Sequence, residues 1–379
     1  MSPTICISAK TLHYIEGGGH FWVYLNWALG FRALNCRVIW LEAVESDITP
    51  HDLEALLTTL KNRLEPYGLS DSVALCSWTG DPLPPELSES CISIEEATQA
   101  DLLLNIAYEI PPEIVGRFPR SALLDIDPGL LQIWMSKKEV QIAHHDIYFT
   151  TGETVGTPEA LFPSAGLKWQ YTPPCVALDW WPVVSTVKNK FFTTVSQWQC
   201  EEWFGDAVDG YRNDKREGFL PYIRLPKYSK QPLELALCLS NDSEGENDRT
   251  MLQKQGWKIR DAWSTLSTPQ DYQSYIQNSL GEFSCCKPSC VRLQNAWVSD
   301  RTLCYLASGK PAVVQHTGPS RFLPDSAGLF RFKNMQEAQL YLDVVAKDYD
   351  GQCRLARSLA EEYFDARKVC ERVLEKALA

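Results

Sequence analysis

The stretch Trp297–Gly318, WVSDRTLCYLASGKPAVVQHTG, carries the reading of the fold. It begins with a polar pair, Ser299 and Asp300, of the types that cap helices. RTLCYLASG then has the spacing of a short, small-residue helix closed by Gly309. PAVVQ is apolar and β-branched, so it reads as a buried strand, and His316-Thr317-Gly318 forms a second polar corner. Helix, strand and two polar corners in this order put both corners on one edge of a sheet, the edge where open α/β sheets bind ligands.

Upstream of this stretch the same grammar repeats. KFFTTVSQWQ, LELALCLS and GWKIRDAW read as strands, DKREGFLPYIRLP as a helix and turn, and DYQSYIQNSLGEFSCCK as a helix running into a turn at Gly281 and Glu282. Glu282, Lys287, the cap at Ser299 and Asp300, and the corner His316, Thr317 and Gly318 are therefore expected on one edge. Trp198 and Trp297 lie near enough to that edge in sequence to stack on a base or sugar.

The first half has its own alternation. TICISAK reads as a strand, YIEGGGH as a turn, FWVYLNWALGFRALN as a helix and CRVIWLEA as a strand, which together make a β-α-β unit. Gly17, Gly18 and Gly19 fall where strand feeds helix. They suit either a backbone that approaches an anion or merely a tight turn. The amphipathic ITPHDLEALLTTLKNRLEPYG follows, then strands in SVALCSW, DLLLNIAYEI, SALLDIDPG and HDIYFTTGE. Asp127 leaves its strand at a Pro-Gly turn, placed either as an acid-base group or as an Asx-turn initiator. His20 is either an acid-base group or a packing partner of Phe21 and Trp22. His144 and His145 precede a strand and read as structural. Strands alternating with helices in both halves give a doubly wound α/β architecture in two domains. The proline-bearing KWQYTPPCVALDWWPVV, Lys168 to Val184, reads as the connection between them.

Composition bounds the chemistry. The chain has 379 residues, 45% of them apolar, enough for two cores, and a net charge of −12 that argues against a nucleic-acid footprint. Its 13 cysteines are scattered and odd in number. Cys285, Cys286 and Cys290 lack the paired spacing of zinc sites, so no metal is expected and buried thiols are. MSPTICISAK reads as a strand rather than a secretory signal, and no apolar run reaches the roughly 20 residues of a membrane span. A soluble, cytoplasmic protein is expected.

The phrases LASGKPAVV, GLFRF and the helical tail resemble the nucleotide-sugar half of GT-B glycosyltransferases. The chain is similar in particular to a bacterial set of glycosyltransferase-like proteins sharing DIDPG, FTTGE, FTTVSQW, GEFS..K, W.SDR..CYLA.GKP and AR.LAEEYFD, from about Gly17 to Asp365. The resemblance implies two Rossmann-like domains facing across a cleft: residues 1–178 on the acceptor side, residues 179–350 holding the nucleotide sugar, and C-terminal helices 351–379 returning to the first domain. It implies a metal-independent transfer of a hexose-type sugar from a nucleotide-diphosphate donor to a small-molecule or glycan acceptor, without a further cofactor. Lys215, Lys287, Arg301 and the amides near Thr317 and Gly318 would then meet the diphosphate, with Ser299 and His316 as further donor contacts. Glu282 or Asp300 would meet the ribose, and Asp127 and His20 would serve the acceptor. Lys215 and Arg301 are equally of the type that forms surface ion pairs. Retaining members often carry a Glu-x7-Glu signature; here Cys304 stands at its second position and Cys290 lies eight residues after Glu282, so the stereochemical outcome is not readable. A nucleotide-sugar epimerase or hydrolase, or a non-catalytic binding protein, are the alternatives on the same fold.

Overall fold

The computed structural model describes residues 2–45, 47–81, 83, 90–108, 110–185, 190–200, 203–204, 210–323 and 327–379. The chain divides into two units. The first comprises Met1–Pro158, Phe162–Ala177 and Asp365–Ala379, and the second Glu159–Leu161 and Leu178–Phe364.

In the first unit, seven strands form one sheet: β1 (Thr4–Ala9), β2 (Arg37–Val44), β3 (Val73–Ser77), β4 (Leu102–Asn105), β5 (Ser121–Asp125), β6 (Ile147–Thr150) and β7 (Trp169–Tyr171), in the order β3-β2-β1-β4-β5-β6-β7. Runs such as TICISA, LLLN and SALLD are apolar without alternation, because a parallel sheet is covered on both faces. All neighbours pair in parallel; Ile5 is in register with Val38 on one side and Leu102 on the other. The helix Gly18–Ala33 is apolar nearly all round and mostly buried. Its outer side is covered by the C-terminal helix Ala366–Ala377. Gly30 permits the approach, since a Cβ there would sit 2.6 Å from Cys370 Sγ and 2.9 Å from Ala366 Cβ.

The second unit repeats the plan with β8 (Phe192–Gln197), β11 (Leu233–Cys238), β12 (Lys258–Asp261), β13 (Gly281–Ser284), β14 (Ala312–Gln315) and β15 (Leu329–Phe332), in the order β12-β11-β8-β13-β14-β15; a small hairpin, β9 (Trp203–Phe204) with β10 (Tyr211–Arg212), stands apart. Aromatic rings fill one face: Phe283 and Phe332 stack at 5.4 Å, and Phe219, Trp257 and Phe192 pack into the same cluster. Both sheets have the doubly wound order, which reverses beside the first strand of each. The reversal leaves a crevice outside the carboxyl ends of β1 and β4 in the first unit, and of β8 and β13 in the second.

Three expectations change. Gly281 and Glu282 are not a turn but the start of strand β13. Trp169–Tyr171, read as connection, adds β7 to the first sheet. The tail joins the first unit at Asp365 rather than at 351, because the helix Tyr349–Leu359 packs in the second unit. Arg357 there donates to the Ala307 and Trp181 carbonyls at 2.7 and 2.9 Å. Ala366 N then bonds Val176 O at 3.0 Å, where the chain enters the first unit.

Candidate functional site

In the second unit, the crevice between β8 and β13 gathers two cations. Arg301, in the first turn of the helix Asp300–Ala307, reaches over the sheet and donates to Glu282 Oε1 at 2.7 Å, to Val195 O at 3.0 Å and to Ser284 Oγ at 2.7 Å. It thus clasps both strands at the reversal. Burial works against its charge, but Glu282 more than compensates and holds the guanidinium above its ordinary pKa. Lys215 opens the short helix Lys215–Phe219, which Asp214 caps by accepting from Glu217 N. Its Nζ donates to Cys285 O at 2.7 Å, just past the end of β13. Burial and then the charge of Arg301 depress the ammonium pKa, against a weaker pull from the Cys286, Cys290 and Cys285 thiols. The Cys285 and Cys286 thiols are themselves pushed up by burial, Cys286 to about 12, so these two stay neutral and do not cancel the cations. Glu282 pairs with Arg301, while Lys215 is held by a carbonyl.

Next to it, beyond the ends of β14 and β15, lies a hollow of about 570 Å3 whose polar lining is Gln294, Gln315, His316, Ser320, Arg331 and Lys333. His316 follows β14 directly, and its Nδ1 accepts from Gly318 N at 3.1 Å, which puts the ring proton on Nε2. Gly318 has φ of 135°, and a Cβ there would come within 2.6 Å of Gln294 O, so only glycine makes this corner. Its carbonyl accepts from Arg331 Nη1 at 2.9 Å, and Thr317 Oγ1 donates to Trp297 O at 2.6 Å.

The expected donor residues therefore separate. Lys215 is half-buried, the Arg301 side chain is 12% exposed, and His316, though mostly buried, lines the polar hollow. Lys287 and Ser299 are half-buried at the cap positions of the helices Pro288–Leu293 and Asp300–Ala307, although the Ser299 side chain makes no cap hydrogen bond. Asp300 is half-buried in the first turn. Glu282 is wholly buried in mid-sheet beside Arg301 and offers no acceptor to a ribose; its work is to hold Arg301. The Gly318 amide is already bonded to His316, and Thr317 is buried. Trp198 is a core residue donating to Asp248 at 2.9 Å, not a stacking platform. Cys304 is buried in the second turn of its helix, away from the strand ends. Arg331, inside the apolar strand LFRF, was missed, and a lone cation in an otherwise apolar strand is the signal that marks it.

The corresponding crevice of the first unit holds the other candidates. His20 lies in the first turn of Gly18–Ala33, its Nε2 2.9 Å from Lys10 O, which leaves Nδ1 as the basic nitrogen. Burial lowers its pKa and the Lys10 ammonium adds to this, while Asp127 pulls the other way. Asp127 accepts from Tyr108 Oη at 3.0 Å, and its own N–H donates to Asp125 Oδ1 at 2.9 Å, so the Asx-type turn is initiated by Asp125 and not by Asp127. The structure thus brings His20 and Asp127 together, with Tyr108 and Lys10 as neighbours that sequence reasoning did not name. Gly17 caps the helix and packs on Tyr14, where a Cβ would lie 2.3 Å from the ring; Gly18 and Gly19 begin the helix. Glu42 anchors the loop before them, accepting from Thr11 N at 2.9 Å, Leu12 N and Trp40 Nε1 at 2.8 Å. His145 is buried and bonded to Asn105 and Ala143, as a structural histidine should be, and His144 is exposed.

Among the described residues no group of three His, Cys, Asp or Glu side chains clusters as a metal site requires, and no helix is long and apolar enough to cross a membrane. No protein-family model matches the chain, and the comparison with curated proteins gives no match. Solved structures do match, over the whole length. An alpha-glucosyltransferase in complex with UDP and a 13-mer DNA superposes with a TM-score of 0.63 at 12% identity, covering 100% of both chains. Sucrose-phosphate synthase from Thermosynechococcus elongatus gives 0.55 at 10%, covering 99% of this chain and 98% of its own. The Anabaena HepE protein with UDP and glucose gives 0.54 at 11%, covering 99% of each. The chain has the GT-B fold. The GT-B likeness rests on paired doubly wound sheets, not on shared sequence.

Proposed function

We propose that the chain is a glycosyltransferase that moves a sugar, of the hexose type, from a nucleotide-diphosphate donor to a small-molecule or glycan acceptor. The observation that carries this reading is the convergence of Lys215 and Arg301 on the crevice between β8 and β13, the reversal point of the second sheet. As the glycosidic bond breaks, its electron pair and the charge pass to the diphosphate, and donors already held in place stabilise that charge without reorganising. Arg301 is fixed by three acceptors and Lys215 by one, so both are preorganised. The polar hollow beside them, with His316, Gln294 and Gln315, suits the nucleoside, and Asp300, Lys287 and Ser299 are retained as further donor contacts in this reading. That neighbouring folds carry UDP in their complexes makes UDP the first nucleotide to try.

In this reading the first unit serves the acceptor. His20 Nδ1 takes the proton from the attacking hydroxyl, a task suited to a ring that burial keeps neutral. Asp127 orients the ring or the hydroxyl, and Gly17, Gly18 and Gly19 at the helix start shape the entry. Two side-chain cations take the part that a divalent metal plays in other transferases, so turnover should persist in chelator. Cytoplasmic location belongs to the same proposal.

The test is incubation with a panel of nucleotide sugars, with and without candidate acceptors including glycans, small hydroxylated molecules and DNA, reading nucleoside diphosphate release and thermal shift. Release that needs a glycan or small acceptor supports transfer. Release without any acceptor points instead to hydrolysis, and binding with no turnover under any acceptor would remove the enzymatic reading.

A further inference from the structure

A second cavity of about 500 Å3 lies in the second unit at the opposite end of β14 from His316. Its walls are Val183, Val184 and Ser185 from the segment that follows the first unit, Gly309 and Lys310 before β14, and Tyr349, Cys353 and Arg354 from the helix Tyr349–Leu359. Gly309 has φ of 69°, and a Cβ there would meet Val183 at 3.0 Å, so glycine lets the segment lie close.

The charge of this cavity is not balanced by the protein. Lys310 is only 1% exposed, and among the described residues its single acceptor is Val184 O at 2.7 Å. No carboxylate pairs with it among the described residues; an ammonium taken out of water with one carbonyl for company is costly, and is normally found with an anion. Arg354, exposed at the mouth, has no partner among the described residues. Arg357 is already engaged with Glu361 and two carbonyls. Asp350 contributes one negative charge to the rim, and the Cys353 thiol, raised by burial, is neutral. Lys310 and Arg354 against Asp350 leave one positive charge, in a chain of net charge −12. The hydroxyls of Ser185 and Ser358 add donors, while Val183, Val184 and the Tyr349 ring make the rest apolar.

We propose that this cavity binds a small phosphate monoester of about sugar-phosphate size, with the phosphate between Lys310 and Arg354 and the carbon skeleton against Val183 and Tyr349. Lys with Arg and hydroxyls is the usual recognition set for phosphate. The cavity is separate from the crevice at β8 and β13, so the proposal does not depend on the transferase reading. Because the ligand would lie against Val183–Ser185 and the end of the helix whose first turn carries Arg301, its occupancy would stiffen the segment and the helix together.

Calorimetric titration with inorganic phosphate, glucose 6-phosphate and glucose, on the wild type and on Lys310→Met, Arg354→Ala and Lys215→Met, tests this. The expected result is that the ester binds about tenfold more tightly than phosphate, that glucose does not bind, and that Lys310→Met and Arg354→Ala each weaken the ester about tenfold while Lys215→Met does not. Arg354 is exposed, so its variant remains a test even if Lys310→Met alters folding. Ester affinity unchanged in Arg354→Ala, or lost in Lys215→Met instead, or equal affinities for phosphate and ester, would overturn the proposal.

Discussion

Replacing Lys215 by Met separates ligand binding from folding. Among the described residues the ammonium has one hydrogen bond, to Cys285 O at 2.7 Å, and burial and Arg301 both depress its pKa. Met fills a similar volume without the charge. Losing the hydrogen bond costs about 1 kcal/mol, and relief of the desolvated charge offsets it, so stability should stay within about 1 kcal/mol of the wild type. A hydrogen bond from an ammonium to a phosphate contributes about 1.5–3 kcal/mol, which corresponds to a roughly 10- to 150-fold rise in the Kd for UDP. Calorimetry with UDP gives the first quantity and urea denaturation with linear extrapolation the second. A Kd unchanged within twofold would refute the donor assignment. Loss of more than about 3 kcal/mol would show that Lys215 holds the fold rather than the ligand.

Arg301→Met should destabilise the second unit by about 3–5 kcal/mol, since it strands the buried Glu282 carboxylate; adding Glu282→Gln should restore much of this, and additive urea results would contradict the pairing. His20→Asn should lower kcat by about 10²–10⁴-fold with UDP affinity kept, measured by steady-state turnover and calorimetry; an equal loss in binding would move His20 out of the acid-base role. Burial lowers His145 to about 4. The unfolded chain takes up its proton near pH 6.5 and the folded chain does not, so its contribution to stability is complete above that pH and is lost as pH falls towards 4, by up to about 3 kcal/mol. Asp125, pushed up to about 7 by burial, acts in the opposite sense, so the readout is the difference between wild type and His145→Gln in urea midpoint at pH 7 and pH 4.5. The variant should lose less on acidification, and identical pH profiles would refute the assignment.

The layered fold was legible because parallel strands buried on both faces leave unbroken apolar runs, as in TICISA and LELALC. The strand β13 was not: GEFS places a glutamate and a serine among four residues, and local pattern alone reads them as a turn. What makes Glu282 a strand residue is Arg301, 19 positions on, delivered by a helix. The same distance problem hid the role of Cys285 O, 70 positions from Lys215. Residue type picked out Lys215, Arg301, His20 and Asp127 as chemically apt. Only the strand order brings them to the two reversal points, and strand order is a property of long-range pairing. The corner at His316 to Gly318 was readable because glycine punctuates a turn, yet the engagement of its amide by the His316 ring was not.

A crystal structure of the chain with UDP shows whether Lys215 and Arg301 hold the diphosphate. The diphosphate is expected in the crevice between β8 and β13, with a phosphate oxygen about 3 Å from Lys215 Nζ or an Arg301 guanidinium nitrogen and the uridine in the hollow beside His316. UDP bound with its diphosphate elsewhere, and both cations still facing only protein acceptors, would contradict that expectation.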